Sequence, residues 1–100
     1  MEGPNRQGLN PLHIATEEGH ERIVRLLLKG GANIEACTPS GERPLHIATR
    51  HGHGAIVRLL LLGGADIASE NGNRETALHL AAEAGHEQIV ELLLGGINNA

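Results

Sequence analysis

The chain is 100 residues long, has a formal net charge of −4 and is 40% apolar without one Phe, Tyr or Trp. That length allows one small domain, with a core limited to Leu, Ile, Val and Ala and a surface lacking the aromatic anchors of most binding hot spots. Charges balance along residues 5–70, with four basic and four acidic groups in 5–37 and three of each in 38–70, and 71–100 sets Arg74 against Glu75, Glu83, Glu87 and Glu91, so no basic stripe favours nucleic acid or an anionic membrane.

Met1 to Pro4 reads as a short polar lead-in, and Asn5-Arg6-Gln7-Gly8 as a turn, since Asn and Gly tolerate turn conformations. Asn10-Pro11 predicts a helix start, with Asn as cap and Pro preorganised for the first helical position. This helix runs to about Glu18 and stops at Gly19, where a left-handed residue costs Gly nothing. A second helix is predicted from Glu21 to Lys29. Its Ile23, Val24, Leu26, Leu27 and Leu28 cover more than one face, as in a helix wedged between two neighbours. Gly30-Gly31 ends it.

The chain then repeats itself. Leu12, His13, Ala15, Gly19, His20, Ile23, Val24 and Leu27 recur 33 residues later at 45, 46, 48, 52, 53, 56, 57 and 60, and again at 78, 79, 81, 85, 86, 89, 90 and 93. Eleven positions are identical in all three copies. The second unit turns at Thr38-Pro39-Ser40-Gly41 and exits through Gly63-Gly64-Ala65-Asp66-Ile67. It is predicted to cap poorly, with Arg43 before its Pro and Gly54 in the first turn of its second helix, at a cost of about 1 kcal/mol relative to Ala. In the third unit Thr76 is a good cap and Ala77 replaces Pro. Arg74 stands where the other units have Gly8 and Gly41, which predicts a reshaped turn. Ile97 to Ala100 is expected to fray.

A 33-residue period whose units open on Asn10-Pro11-Leu12-His13, Arg43-Pro44-Leu45-His46 and Thr76-Ala77-Leu78-His79 resembles the ankyrin-repeat family. The resemblance covers residues 5 to about 96, as repeats at about 5–37, 38–70 and 71–100. It implies an all-α solenoid of three helix-turn-helix units with outward β-turn or hairpin loops. Thr before Pro, typical of the family, survives only as Thr76, so the cap bonds of the first two units are in question. One helix pair cannot bury its apolar faces alone, and about three repeats make the core continuous. The first and last units keep Ile14, Val24, Leu28 and Leu80, Val90, Leu94 in place of polar caps. That suggests a piece of a longer array or a minimal engineered one, and predicts self-association through the uncapped ends.

Six of the seven histidines recur in phase, about one repeat apart, too far to share a metal through bonds of roughly 2 Å. The resemblance implies that the Leu-His rings bridge neighbouring loops and that the Gly-His rings order the turn between helices. His51 is out of phase, but two histidines with no third ligand make a poor metal site, and no cofactor is expected. Cys37 has no adjacent base and reads as an exposed loop thiol. The glycine pairs follow helices, so they are helix stops instead of phosphate loops. No acid, base and nucleophile converge, and no enzyme is expected. With no disulfide partner, signal peptide or apolar run of spanning length, the chain reads as intracellular, cytoplasmic or nuclear.

What the resemblance implies is a partner protein bound on the concave face of loop tips and first helices. Carried over residue by residue, the positions are Arg6, Gln7, Leu9, Glu17 and Glu18; Pro39, Ser40, Glu42, Arg50 and His51; and Gly72, Asn73, Glu75, Glu83 and Ala84. The copies differ most there, and Glu75 and Glu83 favour a basic partner. The alternative is an engineered or idealised scaffold with no native ligand.

Overall fold

A computed structural model describes residues 8–95. It contains six helices, α1 (Pro11–Glu18), α2 (Glu21–Lys29), α3 (Pro44–Arg50), α4 (Gly54–Leu62), α5 (Ala77–Ala84) and α6 (Glu87–Gly95), with no strand among the described residues. They form three antiparallel pairs stacked in chain order: α1 packs on α2 and α3, α3 on α4 and α5, and α4 on α2 and α6. The result is an all-α repeat solenoid.

Local chemistry fixes the helix starts. Asn10 Oδ1 accepts the His13 amide at 3.0 Å, while the Asn10 amide donates to His13 Nδ1 at 3.1 Å. This reciprocal pair is a capping box with histidine in the place usually held by Glu or Gln. Thr76 and His79 repeat it, at 3.3 and 3.0 Å. The first unit is therefore capped although it lacks the Thr. Arginine has no acceptor, so Arg43 makes no side-chain cap; only its amide reaches His46 Nδ1, at 3.0 Å. Its guanidinium does other work, bonding Glu35 at 3.3 Å and the Glu70 carbonyl at 3.3 Å, and so ties the exits of the first two units together. Gly19 closes α1 in the left-handed region at φ 79°, as its sequence position predicts. Gly54 proves to be the first residue of α4, a position less costly for glycine than the helix interior.

The third turn is not reshaped. Arg74 adopts φ 62°, beside 78° for Gly8 and 82° for Gly41. The closing bonds match as well: Thr38 N to Glu42 O and Asn71 N to Glu75 O are both 2.9 Å. Asn71 Oδ1 accepts the amides of Asn73 and Glu75, at 2.9 and 3.0 Å, reinforcing the loop that forces Arg74 left-handed. Packing between tips holds the same geometry, since the Gly72 amide donates to Ser40 O at 3.1 Å.

The core is wholly aliphatic, with Leu12, Val24, Leu45, Ala48, Ile56, Val57, Leu60, Ala77 and Ala81 almost fully enclosed. The wedge expected of the second helices is realised in α4, where Ile56, Val57, Leu60 and Leu61 are all buried. In α2 only Val24 is buried, and in α6 only Ile89 and Leu93, because each has a neighbouring unit on one side only among the described residues. Met1–Pro4, most of the Asn5–Gly8 turn and Ile97–Ala100 lie outside the described residues.

Candidate functional site

The histidines supply the frame on which the tips are mounted. His13 Nδ1 accepts from a backbone amide, so its Nε2 carries the proton and donates to Ala36 O at 2.8 Å. His46 makes the same strut to Ser69 O at 3.0 Å. Each ring thus pins the start of a first helix to the exit segment 23 residues further on (13 to 36, 46 to 69). His46 is enclosed, and burial pushes its pKa down, opposed in part by the bond to Ser69.

The Gly-His rings of the second and third units, His53 and His86, lie against the turn of the preceding unit. His53 reaches back a unit and its Nε2 donates to Glu17 O at 3.0 Å, with its ring over Gly19. The amide of His53 orders the turn instead, bonding Ala48 O at 2.9 Å. Sequence places His53 beside Gly52, but only the stacking brings it against the preceding turn. His51 lies parallel to His53, 16° between planes and 6.0 Å between centroids. Among the described residues no group of three or more His, Cys, Asp or Glu could hold a metal ion. Cys37 is exposed in its loop, its thiol 3.8 Å from Glu35 O.

Against this frame two concavities open. One, of about 370 Å³, lies between the first and second units and is lined by Leu9, Glu17, Thr38, Pro39, Ser40, Glu42, Ile47 and His51. Six of the positions expected on the concave face therefore come together: Leu9, Glu17, Pro39, Ser40, Glu42 and His51. Its floor is apolar, with the half-buried Leu9 and the buried Ile47, and its walls carry Pro39, two carboxylates, two hydroxyls and an imidazole. Arg50 is just outside, its guanidinium paired with the Glu42 carboxylate. Among the described residues that pair leaves Glu17 as the groove carboxylate without an ion pair. A second concavity, of about 390 Å³, is lined by Arg74, Glu75, His79 and Glu83 and holds two carboxylates against one guanidinium.

The remaining expected positions line neither. Glu18 pairs with His20 at 3.2 Å, Gly72 is engaged by Ser40, the Asn73 amide is engaged by Asn71, and Ala84 is exposed at the end of α5. Arg6 and Gln7 lie outside the described residues. Residue-by-residue expectation overlooked Thr38, Ile47, Arg74 and His79. Ile47 shares a register with Ile14 and Leu80 and so reads as core, and His79 reads as a strut; only the stacked geometry turns both toward a groove.

A family model described as ankyrin repeats in three copies matches residues 1–71 and 37–100, which together span the whole chain. The chain belongs to the ankyrin-repeat family. Ankyrin repeats are in general protein-interaction modules rather than enzymes. A search of curated proteins finds no match. No helix among the described residues of this ankyrin chain is long and apolar enough to cross a membrane.

Proposed function

We propose that the chain is a non-enzymatic interaction module that holds a segment of a partner protein along the concave face of tips and first helices. The observation that carries this reading is the groove between the first two units, where an apolar floor is rimmed by Glu17, Glu42, Ser40 and His51. A floor of Leu9 and Ile47 excludes water from a partner's aliphatic side chain. The rim accepts hydrogen bonds, and with Glu75 and Glu83 further along the face it favours a partner segment rich in Lys or Arg. Glu18, Arg50, Gly72, Asn73 and Ala84, with Arg6 and Gln7, are assigned to the edge of the same surface. The three repeats, at about 5–37, 38–70 and 71–100, act as one domain, in the cytoplasm or nucleus, without nucleic acid, membrane or cofactor.

The test is affinity capture of a reproducible partner, followed by titration with Glu17→Lys and Glu83→Lys together. Loss of about tenfold or more in affinity with unchanged helicity supports the module, corresponding to about 1.4 kcal/mol. Unchanged affinity overturns the placement. A second reading, an engineered or idealised scaffold whose property is stable folding, is favoured by the near-identity of the amide-to-imidazole bond in the three units, at 3.1, 3.0 and 3.0 Å. Cooperative folding with no specific partner recovered would favour it.

A further inference from the structure

The repeat lets one position be followed through different surroundings. Ile89 faces the unit before its own, its Cγ1 lying 3.9 Å from where a Cβ on Gly54 would be. Ile56 and Ile89 are 1% and 2% exposed, yet Ile23 in the same register is 47% exposed. Near the other end of these helices Leu61 is 9% exposed and Leu28 half-buried, yet Leu94 in the same register is 69% exposed. Thr16 and Thr49 are fully enclosed, and their counterpart Ala82 is exposed. The leading face of the first unit and the trailing face of the third are thus the two halves of an interface that the chain already forms twice within itself.

Three features make those halves complementary. First, each internal junction seats a histidine ring over a left-handed glycine. A Cβ on Gly19 would lie 2.9 Å from His53 Cε1, and one on Gly52 would lie 3.0 Å from His86 Cε1. At Gly85 nothing among the described residues lies within 4 Å of that point, while His20, the first ring of the series, turns instead to Glu18. Second, each end leaves an aliphatic side chain bare, Ile23 at one and Leu94 at the other, whose counterparts Ile56, Ile89 and Leu61 are buried inside the stack. Third, the charges match. The groove between α4 and α6 is bounded by Gly54, Ala55 and Arg58 on one side and by Gln88, Glu91 and Leu92 on the other. Moved one unit forward, the first set becomes Glu87, Gln88 and Glu91; moved two units back, the second becomes Arg22, Arg25 and Leu26. Two carboxylates would meet two guanidiniums where the internal junction has one of each.

We infer that a second copy of this chain docks head to tail, its α1–α2 face on the α5–α6 face of the first, with His20 over Gly85 and Arg22 and Arg25 opposite Glu87 and Glu91. The contact uses neither of the concavities described above and does not depend on what they bind. It joins unlike surfaces, so it does not close on itself after two copies, and further copies can add. Arg25 already pairs with Glu21 at 3.3 Å, an exposed pair that the new carboxylates would share.

Sedimentation velocity on the full chain tests this, from about 1 μM to about 1 mM protein, in roughly 20 mM and roughly 500 mM salt, which brackets strong and weak screening. The weight-average mass is expected to rise above 10.5 kDa with concentration, passing the dimer, and to need about tenfold more protein at high salt. One variant carries Arg22→Glu with Arg25→Glu, and another carries Glu87→Lys with Glu91→Lys; each alone should be monomeric. An equimolar mixture should associate again, because each variant then meets the opposite charge on the other. All four side chains are exposed, and circular dichroism checks that both variants fold. A parent chain monomeric throughout, with its end faces therefore otherwise occupied, overturns the inference. So does a closed dimer, association indifferent to the reversals, or a folded mixture that stays monomeric.

Discussion

Arg74 stores strain that can be released by one substitution. Its φ of 62° lies where a Cβ crowds the following carbonyl oxygen, and its counterparts are glycines. A left-handed conformation costs an ordinary L-residue roughly 1–2 kcal/mol. Arg74→Gly removes that cost but gives the unfolded chain more freedom, worth about 0.4–1 kcal/mol in the opposite direction. The net expectation is a gain of about 0.5–1 kcal/mol, or roughly 2–8 °C in Tm for a domain of this size. Arg74→Ala supplies the control, since it removes the charge and the long side chain but keeps a Cβ at the same φ; it should melt within about 0.5 kcal/mol of the parent. With no Trp or Tyr in the chain, the assay is far-UV circular dichroism in thermal and urea unfolding. An Arg74→Gly chain that melts at or below Arg74→Ala would refute the strain account and imply that the side chain itself holds the tip. The reverse change, Gly41→Ala, should cost more than the left-handed penalty alone, because the new Cβ would lie 2.8 Å from the Gly72 backbone nitrogen.

Two further outcomes follow from buried polar groups. The hydroxyl of Thr49 is enclosed without a hydrogen-bond partner among the described residues, so Thr49→Val, which keeps the shape, should raise the urea midpoint by about 1 kcal/mol equivalent at unchanged m-value. A lower midpoint would mean that the hydroxyl is satisfied after all. His46 has its folded pKa held below the ordinary 6.5 by burial. Above 6.5 both states are neutral and the strut is intact. As pH falls from 6.5 through the folded pKa, only the unfolded chain gains the proton readily, and stability drops by at most about 1.4 kcal/mol per pH unit from this group. Melting temperature followed from pH 7.5 to about pH 5, with the His46 ring titrated by NMR, checks the sign; a ring midpoint above 6.5 would reverse it.

Much of this fold is legible in the chain because its signals are local and written three times. Asn10-Pro11, Gly19 and Gly30 punctuate α1 and α2, and the observed spans, Pro11–Glu18 and Glu21–Lys29, follow that punctuation. What sequence handled less well depends on neighbours. Arg74 read as a break in the turn, yet the bonds of Asn71 and the backbone contact of Gly72 hold the turn against the residue's preference. Arg43 read as a poor cap, and its reach to Glu35 and Glu70 crosses between units. His53 turned out to serve the unit before its own. The same holds for the groove: disagreement among the copies picked out Leu9, Glu17 and Ser40, but no pattern along the chain marks Ile47 as a floor when its register is that of a core residue.

The middle pair, α3 and α4, accepts a unit on either side, and its two surfaces are made of the same residues that meet elsewhere in the stack. Such a chain can lengthen by duplication. A second copy of residues 38–70 inserted in frame would set the trailing face of one middle pair against the leading face of another, both of which already meet a neighbour in the stack, and would add another tip to the row. Inside a helix, an insertion that is not a whole unit would shift polar residues into the aliphatic stack, whereas extra residues in an exposed tip would only lengthen it. Growth in whole units is therefore the change that this architecture tolerates most readily, and the tips are free to diverge afterwards without disturbing the layers beneath.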